Sequence, residues 1–384
     1  GEWRALAEGM GGARYLPSGY LVYARPEGLV AARFDPGRPG TTGEPVLVLD
    51  DVYSIAFMKG SGLAAFDLSP TGVLVYVGGG AEAGKNRLVW VDRSGRTRPA
   101  FDEPGGYEWP RISPDGRKVA VTNRFRDGRI GIWLLDLERG GRSRLTLAGN
   151  DIIPLWTPDG GRVAFGSTRG ESRVSNVYWK AADGSGDATL LVKGEHPRFP
   201  RAWSADGGLV FVEWHPGSMR DIWVADVEGA GEARPIVNSE YDELGPFFSP
   251  DGRWLAYVSN ESGRYEVYVE SFPRGRGRWL VSSGGGTEPV WSADGREIFY
   301  RNGEAMFVVP VRTTPTFSAG TPQLLFERTL KRGIYDSLSY DVTADGREFL
   351  MIERQLELVP NQLHVVLDWD EELRRRLPAD LQPR

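Results

Sequence analysis

The side chains with the widest chemical range in this chain are its three histidines, because imidazole binds metals and exchanges protons near neutral pH. They are His196, His215 and His364. No two of them stand at the short spacing of a metal-binding pair, and the sequence has no cysteine to act as a thiolate ligand. The sequence therefore predicts no metal site and no cofactor, and a cation in a central channel stays an open alternative.

Two other patterns come close to catalytic motifs and fail at particular residues. The run Gly79-Gly80-Ala81-Glu82-Ala83-Gly84-Lys85-Asn86 ends in Asn where a phosphate-binding loop needs Ser or Thr to hold magnesium. No serine lies in the Gly-x-Ser-x-Gly frame of a hydrolase nucleophile. We predict from these failures that the chain is not an enzyme.

A recurring four-residue phrase indicates the elements that position these residues. Proline presets a type I turn, Ser, Thr and Asp bond to the nearby backbone, and glycine accepts a positive φ at the exit. Each phrase therefore predicts a hairpin, with its aspartate as a turn residue and not as a ligand. The copies are Ser113-Pro114-Asp115-Gly116, Thr157-Pro158-Asp159-Gly160, Ser204-Ala205-Asp206-Gly207, Ser249-Pro250-Asp251-Gly252, Ser292-Ala293-Asp294-Gly295 and Thr343-Ala344-Asp345-Gly346, with weaker copies Ser69-Pro70-Thr71-Gly72 and Pro17-Ser18-Gly19.

The spacing of the phrase predicts the fold. Successive copies are 43 to 53 residues apart, and β-branched and aromatic runs follow them. A period of this length with strand-like content is typical of a β-propeller. We predict an all-β, single-domain propeller over residues 1–384 with eight four-stranded blades, or seven if the first unit is distorted. We expect an N-terminal strand at residues 3–7 to close the last blade, and a short helix at about residues 370–377 capped by Asp370.

Composition limits the partners. The net charge of −6 and the pI near 5.4 argue against a nucleic-acid binder. No run approaches the roughly 18 apolar residues of a membrane helix, so we expect membrane attachment only through a segment outside this chain. A closed propeller needs no self-association, and we predict a monomer.

Charged loop residues form the candidate binding site. In a propeller, the loops that enter each first strand and those between the second and third strands gather at one end, where recognition is common. We expect an acidic inner mouth within an outer ring of arginines, suited to a protein or peptide partner. The entering loops contribute Glu108, Asp151, His196, Arg201, Asp242, Glu243 and Glu288, and the outer ring contributes Arg126, Arg173 and Arg220.

One aromatic residue precedes most of the turns. Trp156, Trp203, Phe248 and Trp291 recur near the end of the first strand, with Trp109 shifted outward. An aromatic ring for sugars or peptides is one interpretation. Packing between blades is the interpretation we favour, because a repeating core needs the same side chain in every blade.

The repeats resemble the TolB-type propeller repeat, a relative of the WD repeat. The run from Ala256 to Arg264, the run from Gly284 to Trp291 and the ending Val366-Leu367-Asp368-Trp369 also resemble propellers fused behind bacterial Ser/Thr protein kinases. This resemblance implies a periplasmic or extracellular sensor or interaction domain, tethered through a missing N-terminal membrane helix. The kinase motifs themselves are missing from the chain, so kinase activity is not implied.

We therefore predict a non-catalytic interaction propeller of a bacterial envelope protein. The first alternative is a free-standing TolB-like periplasmic scaffold. The second is a propeller enzyme with a metal in its channel, which would need several converging His, Asp or Glu side chains.

Overall fold

A computed structural model describes residues 11–25, 28–37, 41–50, 52, 54–56, 62–78, 86–125, 129–215, 219–227, 233–273, 277–331, 338–354 and 362–377. The first strands are β1 Gly11–Leu16, β2 Tyr20–Arg25, β3 Gly28–Phe34, β4 Thr41–Leu49, β5 Ser54–Ala56, β6 Gly62–Ala64, β7 Phe66–Leu68, β8 Leu74–Val77, β9 Asn86–Asp92 and β10 Thr97–Gly105. They are followed by β11 Tyr107–Ile112, β12 Lys118–Arg124, β13 Ile130–Asp136, β14 Arg142–Arg144, β15 Asp151–Trp156, β16 Arg162–Ser167, β17 Asn176–Ala181, β18 Thr189–Val192, β19 Arg198–Trp203, β20 Leu209–His215, β21 Met219–Ala225 and β22 Arg234–Val237. The last elements are β23 Glu243–Phe248, β24 Trp254–Ser259, β25 Glu266–Ser271, β26 Arg278–Leu280, β27 Thr287–Trp291, β28 Glu297–Asn302, β29 Ala305–Arg312, β30 Ser318–Ala319, β31 Gln323–Glu327, β32 Tyr340–Val342, β33 Glu348–Arg354, β34 Leu363–Val366 and the helix α1 Trp369–Arg376.

The fold is all-β, with antiparallel, mostly four-stranded sheets and one short helix in the described part of the chain. Its contacts divide the chain into two compact units. Unit 1 comprises Gly1–Lys85, Phe125–Arg129 and Gln355–Arg384, and unit 2 comprises Asn86–Arg124 and Ile130–Arg354. The prediction of one domain over residues 1–384 stays a prediction.

Unit 1 contains the two weakest copies of the turn phrase. Its sheets are β1-β2-β3-β4, the hairpin β5-β6, and β34-β8-β7. The helix α1 buries Trp369 and Leu373 against the core of this unit, and its first turn is acidic and its last turn basic, as helix dipoles favour. The predicted cap is wrong by two residues: the N-cap is Asp368, in the left-handed region, and not Asp370.

Unit 2 contains six sheets, and five of them are built from consecutive strands that begin at β11, β15, β19, β23 and β27. The sixth has the order β10-β9-β33-β32 and joins the two ends of the unit. The first strands contact one another in the order β11, β15, β19, β23 and β27, and β32 contacts β11. The hydroxyl of Tyr340 in β32 donates to the carbonyl of Glu288 in β27 at 2.8 Å.

The predicted closure by the N-terminal strand concerns residues 3–7, which lie outside the described residues, and it stays a prediction. Among the described residues, β33 lies between β32 and β9, and β10 pairs with β9. The predicted third strand of that blade, β34, pairs instead with β8 in unit 1. The pairing of β33 with β9 runs over seven consecutive residues without a bulge, which gives this edge a longer ladder than β34 could offer.

The predicted turn chemistry is confirmed at all six complete copies of the phrase. The first residue donates its hydroxyl to the aspartate at 2.5–2.7 Å, and the glycine has φ between 67° and 87°. The hydroxyl hydrogen bond is the main cause that lowers the pKa of Asp115, Asp159, Asp206, Asp294 and Asp345. These aspartates hold turns and are not ligands.

A proline interrupts the first strand of five sheets, a feature that the sequence reasoning missed. The ladder with the second strand shifts register beside each proline, as expected for a residue without an N–H. The indole of Trp156 then donates to the carbonyl of Arg111 at 3.0 Å, and that of Trp203 to the carbonyl of Trp156 at 2.8 Å. These tryptophans therefore join neighbouring sheets, which agrees with the packing interpretation. The prolines are Pro110, Pro154, Pro200, Pro246 and Pro289.

Candidate functional site

The predicted site residues of unit 2 lie at one end of its sheets, which we call the mouth end. There the first strands begin and the second strands end, as the pairs Glu108 with Thr122, Asp151 with Ser167 and Glu243 with Ser259 show. Arg126 lies outside the described residues. Arg173 is exposed and has a φ of 52°.

Two of the predicted acids are fully buried and paired with arginines. Asp151 accepts two hydrogen bonds of 2.9 Å from Nη2 of Arg169. Asp242 accepts from Nε and Nη2 of Arg220 at 2.8 and 2.5 Å, and from the hydroxyl of Tyr265 at 2.6 Å. Burial, with the Asp242 hydrogen bond, raises the pKa of Tyr265. A buried carboxylate needs such partners, because an unpaired charge away from water is costly.

Glu108 lies between two cations. Nζ of Lys331 donates to Glu108 at 3.0 Å and to the carbonyl of Tyr107 at 3.1 Å, and Nη2 of Arg124 donates to the other oxygen of Glu108 at 3.3 Å. Burial lowers the pKa of Lys331, and Glu108 opposes that change. The sequence reasoning missed Lys331, which lies far along the chain from Glu108.

Two more of the predicted residues, Glu288 and Arg201, also form hydrogen bonds with neighbouring groups. Glu288 accepts from the backbone N–H and the hydroxyl of Ser339 at 2.7 and 2.6 Å. Arg201 is buried, and its Nη1 donates to the carbonyl of Pro200 at 3.1 Å. Asp151, Asp242 and Glu108 thus bind basic side chains of the protein. The acidic inner mouth within an outer ring of arginines stays a prediction.

Glu243 has a different environment. It is 2% exposed, and its Oε1 accepts from the hydroxyl of Ser239 at 2.5 Å. Its Oε2 is buried without a hydrogen-bond partner in the described part of the chain. Burial, with the negative charge of Asp221 adding to it, raises the pKa of Glu243 to about 7, while Arg278 opposes this. Glu243 is therefore a carboxyl group that exchanges its proton near neutral pH.

Two histidines that the sequence reasoning treated as separate lie together. The rings of His196 and His215 are 4.0 Å apart between centroids, with planes tilted by 52°. The hairpin explains this: Arg198 pairs with Glu213, and the N–H of Trp214 donates to the carbonyl of Pro197 at 2.9 Å. His196 lies eight positions before Ser204 and His215 eight positions after Gly207, so the sequence did contain the signal.

Large apolar side chains are exposed beside these groups. Trp214 is 40% exposed, Met219 50% and Tyr241 38%. Trp214 pairs with Arg220 across the hairpin of β20 and β21, and Arg220 binds Asp242, the neighbour of Tyr241. Met219 pairs with His215, so it lies on the opposite face of this hairpin from Trp214. We call Trp214 and Tyr241 the apolar patch.

Unit 1 has a cavity of about 410 Å³. Leu49, Tyr76 and Trp369 line it together with charged residues of the helix. There Arg375 forms ion pairs with Glu371 and Glu372, and Arg376 forms one with Glu372.

Comparison with curated proteins found relatives that are similar to part of this chain. No protein-family model matches the chain. An uncharacterized protein of Agrobacterium fabrum is 29% identical over 206 residues, 49% of this chain and 67% of that protein. The uncharacterized peptidase YuxL of Bacillus subtilis is 27% identical over 168 residues, 42% of this chain and 24% of that protein. The tricorn protease homolog 1 of Streptomyces coelicolor is 30% identical over 175 residues, 41% of this chain and 16% of that protein.

The prediction of a non-catalytic interaction domain, and with it the statement that the chain is not an enzyme, is wrong, because two of these relatives are named as peptidases. The chain covers about a quarter and a sixth of their lengths. Sequence reasoning rejected serine hydrolysis because no serine of this chain lies in a Gly-x-Ser-x-Gly frame. No helix in the described residues is long and apolar enough to cross a membrane.

The solved structure of a putative TolB from Agrobacterium tumefaciens agrees with the predicted β-propeller fold, and the predicted number of blades stays a prediction. It superposes with a TM-score of 0.57 and 20% identity over 70% of this chain and 98% of that one. The chain therefore has the fold of the TolB-like β-propellers.

Proposed function

We propose that this chain is the propeller part of a peptide-processing enzyme and that the mouth end of unit 2 binds the peptide. The observation that carries the proposal is the apolar patch of Trp214 and Tyr241, exposed at the end of the sheets where propellers receive their ligands. The names of two relatives as peptidases support the choice of peptide as the ligand.

The charged residues of the mouth end already have partners within the protein, which favours a ligand that makes apolar contacts. Asp151, Asp242 and Glu108 already bind cationic side chains of the protein. A ligand charge would have to break these pairs, at a cost of several kcal/mol when one partner is left buried and alone. Trp and Tyr, by contrast, supply a large contact area and often dominate binding energy. We therefore expect peptides with aromatic or aliphatic side chains to bind best.

The scaffold of this site is a ring. We infer six blades in unit 2, because six sheets are present and the contacts of their first strands return from β32 to β11. The sheet β10-β9-β33-β32 would then close the ring with strands from both ends of the unit. A closed ring leaves only short, protected edges and would hold the mouth residues rigidly.

Fluorescence anisotropy tests the peptide site. The probes are two labelled peptides of equal length and charge, one with central Phe and Leu residues and one with Ser in their place. We expect the apolar peptide to bind more tightly, and Trp214→Ala to weaken it by about tenfold, which corresponds to about 1.4 kcal/mol.

Leu190→Ala is the matched control, because Leu190 is also exposed but lies on the outer strand β18. Equal binding of both peptides, or equal weakening by the two variants, would refute the apolar patch as the site. Assays of the complete gene product with unfolded casein then test the peptidase activity itself.

A periplasmic or extracellular location and a fused kinase remain predictions from the resemblance of the sequence. The reading frame of the source gene tests both. A membrane helix and kinase motifs before residue 1 would support them, and a peptidase domain in the same frame would support the peptidase proposal.

A further inference from the structure

We infer that His196 and His215 form a binding site for a divalent transition-metal ion such as Zn²⁺ at the mouth end of unit 2. This inference stands independently of the proposed peptide function. It rests on the contact of the two imidazoles, whose ring centroids are 4.0 Å apart.

The strand pairing holds the two histidines opposite each other. Directly before them in the ladder, the N–H of Trp214 donates to the carbonyl of Pro197 at 2.9 Å. One pair further in, Nε of Arg198 donates to Glu213 at 2.5 Å. The backbones that carry both imidazoles are therefore in place before any metal arrives, so little conformational entropy is lost on binding.

The two imidazoles suit a metal ion that is intermediate between hard and soft and prefers nitrogen ligands. Neutral imidazole nitrogens are common ligands of zinc, copper and nickel, and magnesium prefers oxygen. In a tetrahedral site, a Zn–N distance of about 2.0–2.1 Å places the two ligating nitrogens about 3.3 Å apart. The distance between the two ring centroids would then increase by about 1 Å from its present 4.0 Å. His215 is exposed and His196 is half-buried, so the rings have room for this movement.

The protein supplies two ligands and leaves the other positions open. Among the described residues, no group of three or more His, Asp or Glu side chains could hold a metal ion. Glu213, the nearest acid in the ladder, is already bound by Arg198. Water or an added ligand would complete the tetrahedral site, which is the arrangement of an accessible metal and not of a closed structural one.

Isothermal titration calorimetry with Zn²⁺ alone, near pH 7.5, tests the site. We expect one Zn²⁺ per chain, no measurable binding of Mg²⁺, and at least tenfold weaker Zn²⁺ binding in His196→Gln and in His215→Gln. His364→Gln is the matched control, because the third histidine stacks on Tyr76 in unit 1 at 4.8 Å and has no histidine partner. We expect this variant to bind Zn²⁺ as the wild type does.

A second readout separates metal binding from misfolding. In the wild type, the NMR signals of two histidine rings should shift on addition of Zn²⁺ while the third stays in place. The inference is overturned if no saturable Zn²⁺ binding is seen, if the His196 and His215 variants bind as tightly as the wild type, or if the His364 variant loses binding to the same extent.

Discussion

The buried carboxyl group of Glu243 makes the stability of the protein depend on pH. In the folded state its pKa is raised from 4.5 to about 7. A group with a raised pKa contributes stability that is fully present below the unfolded value, and the contribution is lost as the pH rises through the folded value. The shift from 4.5 to about 7 corresponds to about 3 kcal/mol as an upper value, at about 1.4 kcal/mol per pH unit.

Burial sets the direction of this effect, and the groups that face Glu243 modify its size. Asp221 repels its negative form, Arg278 attracts it, and the hydroxyl of Ser239 donates to it. Desolvation is the largest of these influences. Glu243→Gln keeps the shape of the neutral acid and cannot ionise, so it removes the pH-dependent part and leaves the packing in place.

Urea unfolding of both proteins at several pH values between about 4 and 8 measures the effect. We expect nearly equal free energies of unfolding near pH 4, where the carboxyl group of Glu243 is mostly protonated in both the folded and the unfolded protein. Near pH 8 the Gln variant should be more stable by up to about 3 kcal/mol. Glu240→Gln, an exposed neighbour, is the control and should follow the wild type. A difference between wild type and Glu243→Gln that stays constant over this range would refute the reasoning.

Two further substitutions test the paired charges and the turns. Arg220→Ala should destabilise the fold by about 3 kcal/mol, because it leaves Asp242 buried without its bidentate partner. The control is Arg96→Ala: the Arg96 side chain is 85% exposed, and its loss should change stability by less than about 1 kcal/mol. Equal effects of the two variants in urea unfolding would contradict the buried-pair argument. Asp294→Ala should cost about 1–2 kcal/mol, because it removes the hydrogen bonds from Ser292 and from the N–H of residue 296; thermal unfolding measures this, and an unchanged midpoint would show that the turn does not need the carboxylate.

The turns were predictable because their chemistry is local. Each hydroxyl, carboxylate and glycine of the phrase acts on backbone groups within about five residues, so the sequence contains all the partners. The hairpins followed from these turns, and so did the propeller repeat. The contact of His196 with His215 also follows from a hairpin, and their equal distances from the turn at residues 204–207 would have predicted it.

The partners of the candidate site could be predicted only in part. Asp242, Glu243 and Arg220 were recognised as residues of one end of the sheets, because they lie beside strands of known direction. Their burial and their pairing were not recognised, nor was the approach of Lys331 to Glu108. Such contacts depend on side-chain directions and on segments more than 200 residues apart, as the bond from Lys331 to Glu108 shows.

Local sequence was sufficient for the strands, the turns and the all-β class, since short-range hydrogen bonds and side-chain alternation determine them. The division into two units and the pairing of β9 with β33 could not be read from local sequence, because more than one strand could pair with the same free sheet edge. The length of each ladder and the side chains buried with it decide which strand pairs there. The core formed by Leu88, Phe101, Leu350 and Ile352 brings strands from both ends of unit 2 together, and only the packed protein contains that contact.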